Sequence, residues 1–269
     1  MTAKTIGIIS IKGGVGKTST VSALAASLAK NFSKKVLAVD ANFSAPNLGL
    51  HLGIGSPSIT LHHVLSNKAN IIDSVYETEY GFHIIPGAII HKEVNPLKLA
   101  EKLRPIKKYY DIILIDSSPT LNEEILATMM ASDELYVVTT PDHVTLSATL
   151  RAIRLAKEKK TPIKGIILNR VYNEDFELNI EDIEAVSDSN VVAVLPHDVD
   201  ILRALSQNIP LSIYNESEAA KEYNKLAGAL VGEVYMENNW INKLKFGFRK
   251  LFGKSSKQDI NRALLIQEF

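Results

Sequence analysis

Residues 11–18 read Ile-Lys-Gly-Gly-Val-Gly-Lys-Thr. Closely spaced glycines let a backbone fold tightly round an anion and turn successive N–H groups toward it. A β-branched run, Thr5–Ser10, stands before this stretch, and apolar residues at helical spacing (Val21, Leu24, Ala25, Leu28) follow it. A strand, a glycine loop and a helix start in that order form a phosphate site, because the helix N-terminus adds partial positive charge. Lys17 is then expected to reach terminal phosphates, and the Thr18 hydroxyl to ligate Mg²⁺. The strict pattern G-x-x-x-x-G-K-[ST] fails at its first position, Ile11, and Lys12 is an additional cation inside the loop. Two aspartates close apolar runs, Asp40 after Lys35–Val39 and Asp116 after Ile112–Ile115. Each could hold the shell of a magnesium ion, or serve only as a turn-forming residue at a strand end. The seven histidines show no metal-ligand spacing, and His62 and His63, being adjacent, would diverge on a helix.

These residues need a scaffold that brings strand ends together. Strands are predicted at Thr5–Ser10, Lys35–Asp40, Phe82–Ile85, Ile112–Ile115, Leu135–Thr139, Ile163–Leu168 and Val191–Leu195. Helical patterns fall between them, near 60–66, 97–107, 121–132, 144–159 and 180–187, with two more near 199–207 and 216–236 split by Pro210. Strands apolar nearly throughout and alternating with helices predict an α/β fold, a mostly parallel sheet with helices on both faces. In such sheets ligands bind at the carboxyl ends of the strands, where Asp40, Asp116 and the loop lie.

The glycine loop with its second lysine resembles the deviant Walker A loop of the MinD/ParA family of ATPases. Further stretches in the same order strengthen the likeness: Val39-Asp40-Ala41-Asn42 with Pro46-Asn47-Leu48-Gly49-Leu50 is similar to the first switch segment, and Asp116-Ser117-Ser118-Pro119 to the Walker B aspartate and second switch. Residues 60–65 and Ile85-Pro86-Gly87 look like archaeal-type MinD. The likeness spans about residues 5–225 and implies a P-loop NTPase fold, ATP or ADP with Mg²⁺, and ATP-dependent homodimerisation. It implies nucleotide contacts from Lys12, Gly13, Gly14, Val15, Gly16, Lys17, Thr18 and Ser19, and an adenine site at Asn169, Arg170 and Pro196. Thr18, Asp40 and Asp116 are implied as the metal-holding set. Lys12 is implied to cross the dimer interface to the partner's nucleotide, which would make charge neutralisation depend on pairing. Asn42 departs from the family, where a second aspartate orients the attacking water. An amide accepts a hydrogen bond but neither a proton nor a charge, so hydrolysis is expected to be slow or partner-stimulated. Lys12, Lys17, Asp40, Asn42 and Asp116 are the implied catalytic group.

Composition narrows the alternatives. The chain has 269 residues, thirty Lys plus Arg against thirty Asp plus Glu, and no cysteine. Disulfides, thiolate metal sites and cysteine nucleophiles are thereby excluded. No apolar run is long enough for a spanning helix, and the N-terminal residues lack a signal-peptide pattern, so a cytoplasmic protein is expected. Charge is unevenly spread: Lys243, Lys245, Arg249, Lys250, Lys254, Lys257 and Arg262 face a single acid, Asp259, within 240–262, a local +6 against −6 elsewhere.

On a helical wheel Trp240, Ile241, Leu244, Phe248, Leu251 and Phe252 share one side, opposite Lys243, Lys245, Arg249 and Lys250. Such a helix would lie on the inner face of an anionic membrane or, alternatively, pack on the body with its lysines solvated. Residues 248–253 also look like the membrane-targeting end of MinD proteins, although the chain runs on beyond Gly253. The expected organisation is an ATPase domain over 1–237, an amphipathic membrane-targeting helix over 238–254 and a flexible tail over 255–269, in which Ile260, Ala263 and Leu264 could form a short amphipathic turn. The expected role is a membrane-docking switch that positions division or other polar machinery with an unidentified activator or cargo protein. A DNA-partitioning ParA-like protein and a scaffold with little hydrolysis are the alternatives; aromatic side chains in the basic segment favour lipid over DNA.

Overall fold

The structure is a computed structural model that describes residues 2–90, 93–236 and 256–268. Eight strands form one sheet: β1 (Lys4–Ile9), β2 (Val36–Ala41), β3 (Tyr76–Glu77), β4 (His83–Ile85), β5 (Ile112–Ser117), β6 (Glu134–Thr139), β7 (Ile163–Val171) and β8 (Val191–Pro196). Their spatial order is β3-β4-β2-β5-β1-β6-β7-β8. All neighbours run parallel except β3 with β4. The seven predicted strands are all present. The two-residue β3 is additional, and is too short to show periodicity.

Alternate strand residues serve opposite faces, as the pleat requires. Ile6, Ile8, Ala38, Leu114, Tyr136 and Val138 pack toward α1 (Lys17–Phe32) and α10 (Glu218–Leu230). Leu37, Val39, Ile113 and Ile115 point the other way, onto α4 (Leu99–Leu103) and α5 (Glu123–Ala131). Leu135, Val137, Ile166 and Leu168 meet α6 (His143–Glu158) and α7 (Ile180–Ser187) on that second face. Each fully buried aliphatic side chain contributes about 1.5–3 kcal/mol before conformational entropy is set against it. The short helices α2 (Leu48–His51), α3 (Leu61–Leu65), α8 (Asp200–Ser206) and α9 (Leu211–Tyr214) fill the connections. The helix expected over 216–236 ends at Leu230, where Gly232 takes a left-handed φ of +73° and Glu233 N–H donates to Gly228 O.

The end of the chain corrects an expectation. Part of the segment read as a flexible tail forms α11 (Lys257–Gln267), packed on β8 and α10. Its inward residues are Asn261, Arg262 and Leu265, while Ile260 and Leu264 are 52% and 49% exposed. The reason lies in the partners on the sheet edge. Asn261 Nδ2 donates to Val191 O and Glu184 Oε1, both at 2.7 Å, and Arg262 donates to Val192 O at 3.1 Å and Glu222 Oε2 at 2.7 Å. Lys257 pairs with Glu184 at 2.7 Å, and Lys164 pairs with Glu268. A polar cavity of about 100 Å³, lined by Lys4, Glu134, Tyr136, Lys164, Leu265 and Glu268, lies beneath the last turn. The predicted membrane residues, Trp240, Ile241, Leu244, Phe248, Leu251, Phe252, Lys243, Lys245, Arg249 and Lys250, lie outside the described residues. Among the described residues no helix is long and apolar enough to cross a membrane.

Candidate nucleotide-binding site

The loop after β1 enters α1 through Gly16, whose φ of +99° suits only glycine. Unlike α5, α6, α7 and α10, which Asn122, Asp142, Asn179 and Ser217 cap, α1 has no side-chain cap and no acid in its first turn. Its first N–H groups and positive pole are therefore left for an external anion. A Cβ added at Gly13 or Gly14 would meet nothing within 4 Å, so the loop encloses open space rather than protein.

Register brings the two acids side by side: Asp40 on β2 pairs with Asp116 on β5. The Thr18 hydroxyl donates to Asp116 Oδ2 at 2.6 Å and lies 3.0 Å from Asn47 Oδ1. Asp40 accepts from Leu48 N–H at 3.0 Å and Asn42 N–H at 3.3 Å. Burial pushes the Asp116 carboxyl up to about 6, against the opposing pull of Thr18 and Lys17. Burial, and then the Asp116 charge, raise Asp40 well above the ordinary value. Lys17 is itself buried, which lowers its pKa, with Asp116 acting in the opposite sense. Among the described residues, Asp116 Oδ1 and Asn42 Oδ1 are buried acceptors without a donor. Two desolvated carboxylates with an orphaned oxygen fit a hard cation that takes oxygen ligands, the chemistry of Mg²⁺. Thr18, Asp40 and Asp116 would hold it directly or through water.

The structure places the other expected residues with mixed outcomes. Val15, Gly16, Lys17, Thr18 and Ser19 line the turn into α1. Asn42 turns its Nδ2 to Ala45 O at 2.6 Å, tightening the segment after β2. Gly87 lets that segment come close: a Cβ there would fall 2.3 Å from Pro46 Cβ. Asn169 is used internally, donating to Val15 O at 2.7 Å and accepting from Arg170 N–H at 2.9 Å. It braces the phosphate loop from the end of β7. Arg170 and Pro196 stand on paired strands, near Tyr172, which stacks on His197 with ring centroids 4.5 Å apart.

Lys12 does not point at the cradle. Its Nζ donates to Thr145 Oγ1 at 2.6 Å and lies 3.9 Å from Asp142 Oδ1. Asp142 caps α6 through Thr145 N–H at 2.8 Å. Burial opposes its charge, but hydrogen bonds from Thr140 and Thr145, with Lys12 nearby, hold the carboxyl below its ordinary value. Sequence reasoning passed over Asp142 and Thr145, which carry no motif of their own. It also passed over Glu124 of α5, which accepts from Ser44 Oγ. His62 is structural: it bonds Phe43 O and Ala88 N–H across the connections, and His63 joins Thr60 in a capping box. Among the described residues no group of three or more His, Cys, Asp or Glu side chains gathers to hold a metal ion.

A parallel sheet whose first strand feeds a glycine loop and an uncapped helix, with a threonine on a buried strand-end aspartate, defines a P-loop nucleotide-binding protein. Residues 3–164 match the AAA domain family. An uncharacterised ATP-binding protein of Methanocaldococcus jannaschii is 37% identical over 234 residues, covering 86% of this chain and 88% of that protein. The cell division ATPase MinD of Pyrococcus furiosus superposes with a TM-score of 0.80 at 34% identity, over 84% of this chain and 97% of that one. The septum site-determining protein MinD of Pyrococcus horikoshii, solved in complex with Mg-ADP, gives 0.80 at 33%, over 85% and 96%. The chain belongs to the MinD/ParA family of P-loop ATPases.

Proposed function

We propose that this protein is an ATP-gated dimeric switch that hydrolyses ATP slowly and docks reversibly on an anionic membrane surface to position division or other polar machinery. The observation that carries the reading is Lys12: an ammonium within the phosphate loop, yet directed away from the loop's own cradle onto α6. A cation placed there serves a second subunit's phosphates better than its own.

Within one subunit Lys17 would neutralise terminal phosphate charge, while Gly13, Gly14, Val15, Gly16 and Ser19 would offer backbone groups around the chain of phosphates. Magnesium, held at Thr18 with Asp116 and Asp40, would supply charge neutralisation on the phosphates. Asn42 would orient water through its free Oδ1. Asn169, Arg170 and Pro196 would border the base. Five basic residues of 240–254 would add about 1 kcal/mol each at an anionic surface. Two such segments on one dimer would gain avidity over a single one.

The deciding experiment is molecular mass in solution with ATP and Mg²⁺ against ADP, for the parent and Lys12→Ala. The expected outcome is a dimer of the parent with ATP alone and no dimer of the variant. A parent that stays monomeric at saturating ATP, or a variant that pairs as readily, overturns the proposal. Flotation with anionic vesicles, run beside DNA co-sedimentation, checks the surface: nucleotide-dependent flotation is expected, and co-sedimentation without flotation would favour the partitioning alternative.

A further inference from the structure

Asn42 stands at a position where the family resemblance implies a carboxylate, and its amide is half committed. Nδ2 donates to Ala45 O, which leaves Oδ1 as the one acceptor it can turn to water. The direction of that oxygen follows the course of residues 42–45. On one side the course is set by Asp40, which holds Asn42 N–H and Leu48 N–H. On the other it is set by a residue eighty positions away. Glu124 accepts hydrogen bonds from Ser44 Oγ and, at 3.4 Å, from Ser44 N–H.

Glu124 is an unusual residue in that place. It is only 7% exposed, and among the described residues its carboxylate has those two donors and no ion pair. A buried carboxylate without a cation is retained only where the surroundings favour its charge or its hydrogen bonds matter. Both conditions hold. Glu124 is the second residue of α5, whose positive pole favours an anion, and Asn122 fixes its backbone by accepting from Glu124 N–H at 3.0 Å. The helix that carries it follows β5 and Asp116, while Ser44 follows β2 and Asp40. The pair therefore ties together the two connections that leave the candidate metal carboxylates.

We propose that Glu124 is a positioning residue for ATP hydrolysis: through Ser44 it sets the place of Asn42 and thereby of the water that Asn42 orients. The inference rests on the hydrolase reading above.

Its test compares the full chain with Ser44→Ala, Glu124→Ala, Glu124→Gln and the Ser44→Ala/Glu124→Ala double variant. Phosphate release with ATP and Mg²⁺ gives kcat and KM, equilibrium binding of a fluorescent ATP analogue gives affinity, and amide hydrogen exchange follows residues 42–48. Ser44→Ala and Glu124→Ala are each expected to lower kcat about tenfold with nucleotide affinity within about twofold, since displacement of a reacting group acts on the chemical step. The double variant is expected to be no slower than either single one, because both remove one link. Glu124→Gln, which keeps a carbonyl for the Ser44 hydroxyl, should recover kcat to within about threefold of the parent. Exchange over 42–48 should quicken in the two alanine variants and stay near the parent in Glu124→Gln. Multiplying effects in the double variant, a Glu124→Gln as slow as Glu124→Ala, or unchanged kcat in Ser44→Ala would each overturn the inference. No phosphate release from the parent sinks the hydrolase reading instead, and unchanged exchange over 42–48 in the alanine variants then refutes the Ser44–Glu124 tie independently.

Discussion

The ammonium of Lys12 rests on the hydroxyl of Thr145, 2.6 Å away, within its own subunit. Asp142 stands behind that hydroxyl, accepting from Thr145 Oγ1 at 2.6 Å and Thr140 Oγ1 at 2.5 Å. The side chains of Lys12 and Asp142 are 41% and 46% exposed, so solvent screens the pair and its worth is at most about 1 kcal/mol. Leaving this place is therefore cheap compared with the charge interactions that a triphosphate offers.

That low cost gives a first expectation. Asp142→Asn keeps the cap on α6 but removes the charge facing Lys12. Thermal stability should change by no more than a few degrees. ATP-dependent pairing, measured by sedimentation, should strengthen by up to about fivefold, the equivalent of ~1 kcal/mol. Weaker pairing would mean that Asp142 supports the released lysine rather than holding it back.

Magnesium dependence offers a second. Asp116→Asn retains a hydrogen-bond acceptor for Thr18 but loses the charge that a divalent ion needs. Calorimetric titration should show ATP affinity rising at least about tenfold on adding Mg²⁺ to the parent and little or not at all in the variant. An undiminished magnesium effect in Asp116→Asn would move the metal to other residues.

The buried acids also set a pH trend for the protein free of nucleotide and metal. Asp116 and Asp40 hold protons more tightly folded than unfolded. The contribution of Asp116 is thus full below the ordinary carboxyl value of 3.8 and is lost as pH rises through about 6, its folded value; that of Asp40 falls with rising pH in the same sense. In EDTA, the melting temperature of Asp116→Asn should gain on the parent by several degrees between pH 5 and pH 8. A constant difference across that interval would show that the two carboxyls do not carry the cost assigned to them.

Arg262 supplies a fourth expectation, concerning α11. Replacing it with alanine leaves the Glu222 carboxylate to Lys225 alone and removes the side-chain donor to the Val192 carbonyl. Loss of a buried charge partner costs about 3–5 kcal/mol where burial is complete, and less at this partly wetted edge. Limited proteolysis should cut within 257–267 faster in Arg262→Ala than in the parent, and more so in high salt. Equal cleavage would mean that Asn261, Leu265 and the ion pairs of Lys257 and Glu268 keep the helix in place without Arg262.

Much of this architecture could be read from residues. Apolar runs at Ile6–Ile9, Val36–Val39 and Ile112–Ile115 admit few interpretations once a glycine loop and an amphipathic helix stand between them. The aspartates at the ends of two such runs were bound to lie at one edge of the sheet. What escaped reading depends on partners distant in sequence. Asn169, expected beside adenine, also donates from its amide to Val15 O, a tie that no motif announces. Nothing in the periodicity around 260 says that Asn261 and Arg262 face inward, because the carbonyls of Val191 and Val192 and the carboxylate of Glu222 attract them. The apolar set read from spacing, Ile260, Ala263 and Leu264, does lie on α11, on its exposed side. Glu124 and Ser44 belong to no motif, and only the fold brings them together.

The return of the chain at α11 changes what a truncation would mean. The helix α11 lies on β8, the last strand of the sheet. Cutting the protein short before residue 256 would remove α11 and bare the outermost strand. Any loss of surface attachment would then be confounded with edge-to-edge aggregation. Charge reversal at Lys243, Lys245, Arg249 and Lys250 with α11 left in place separates the two effects.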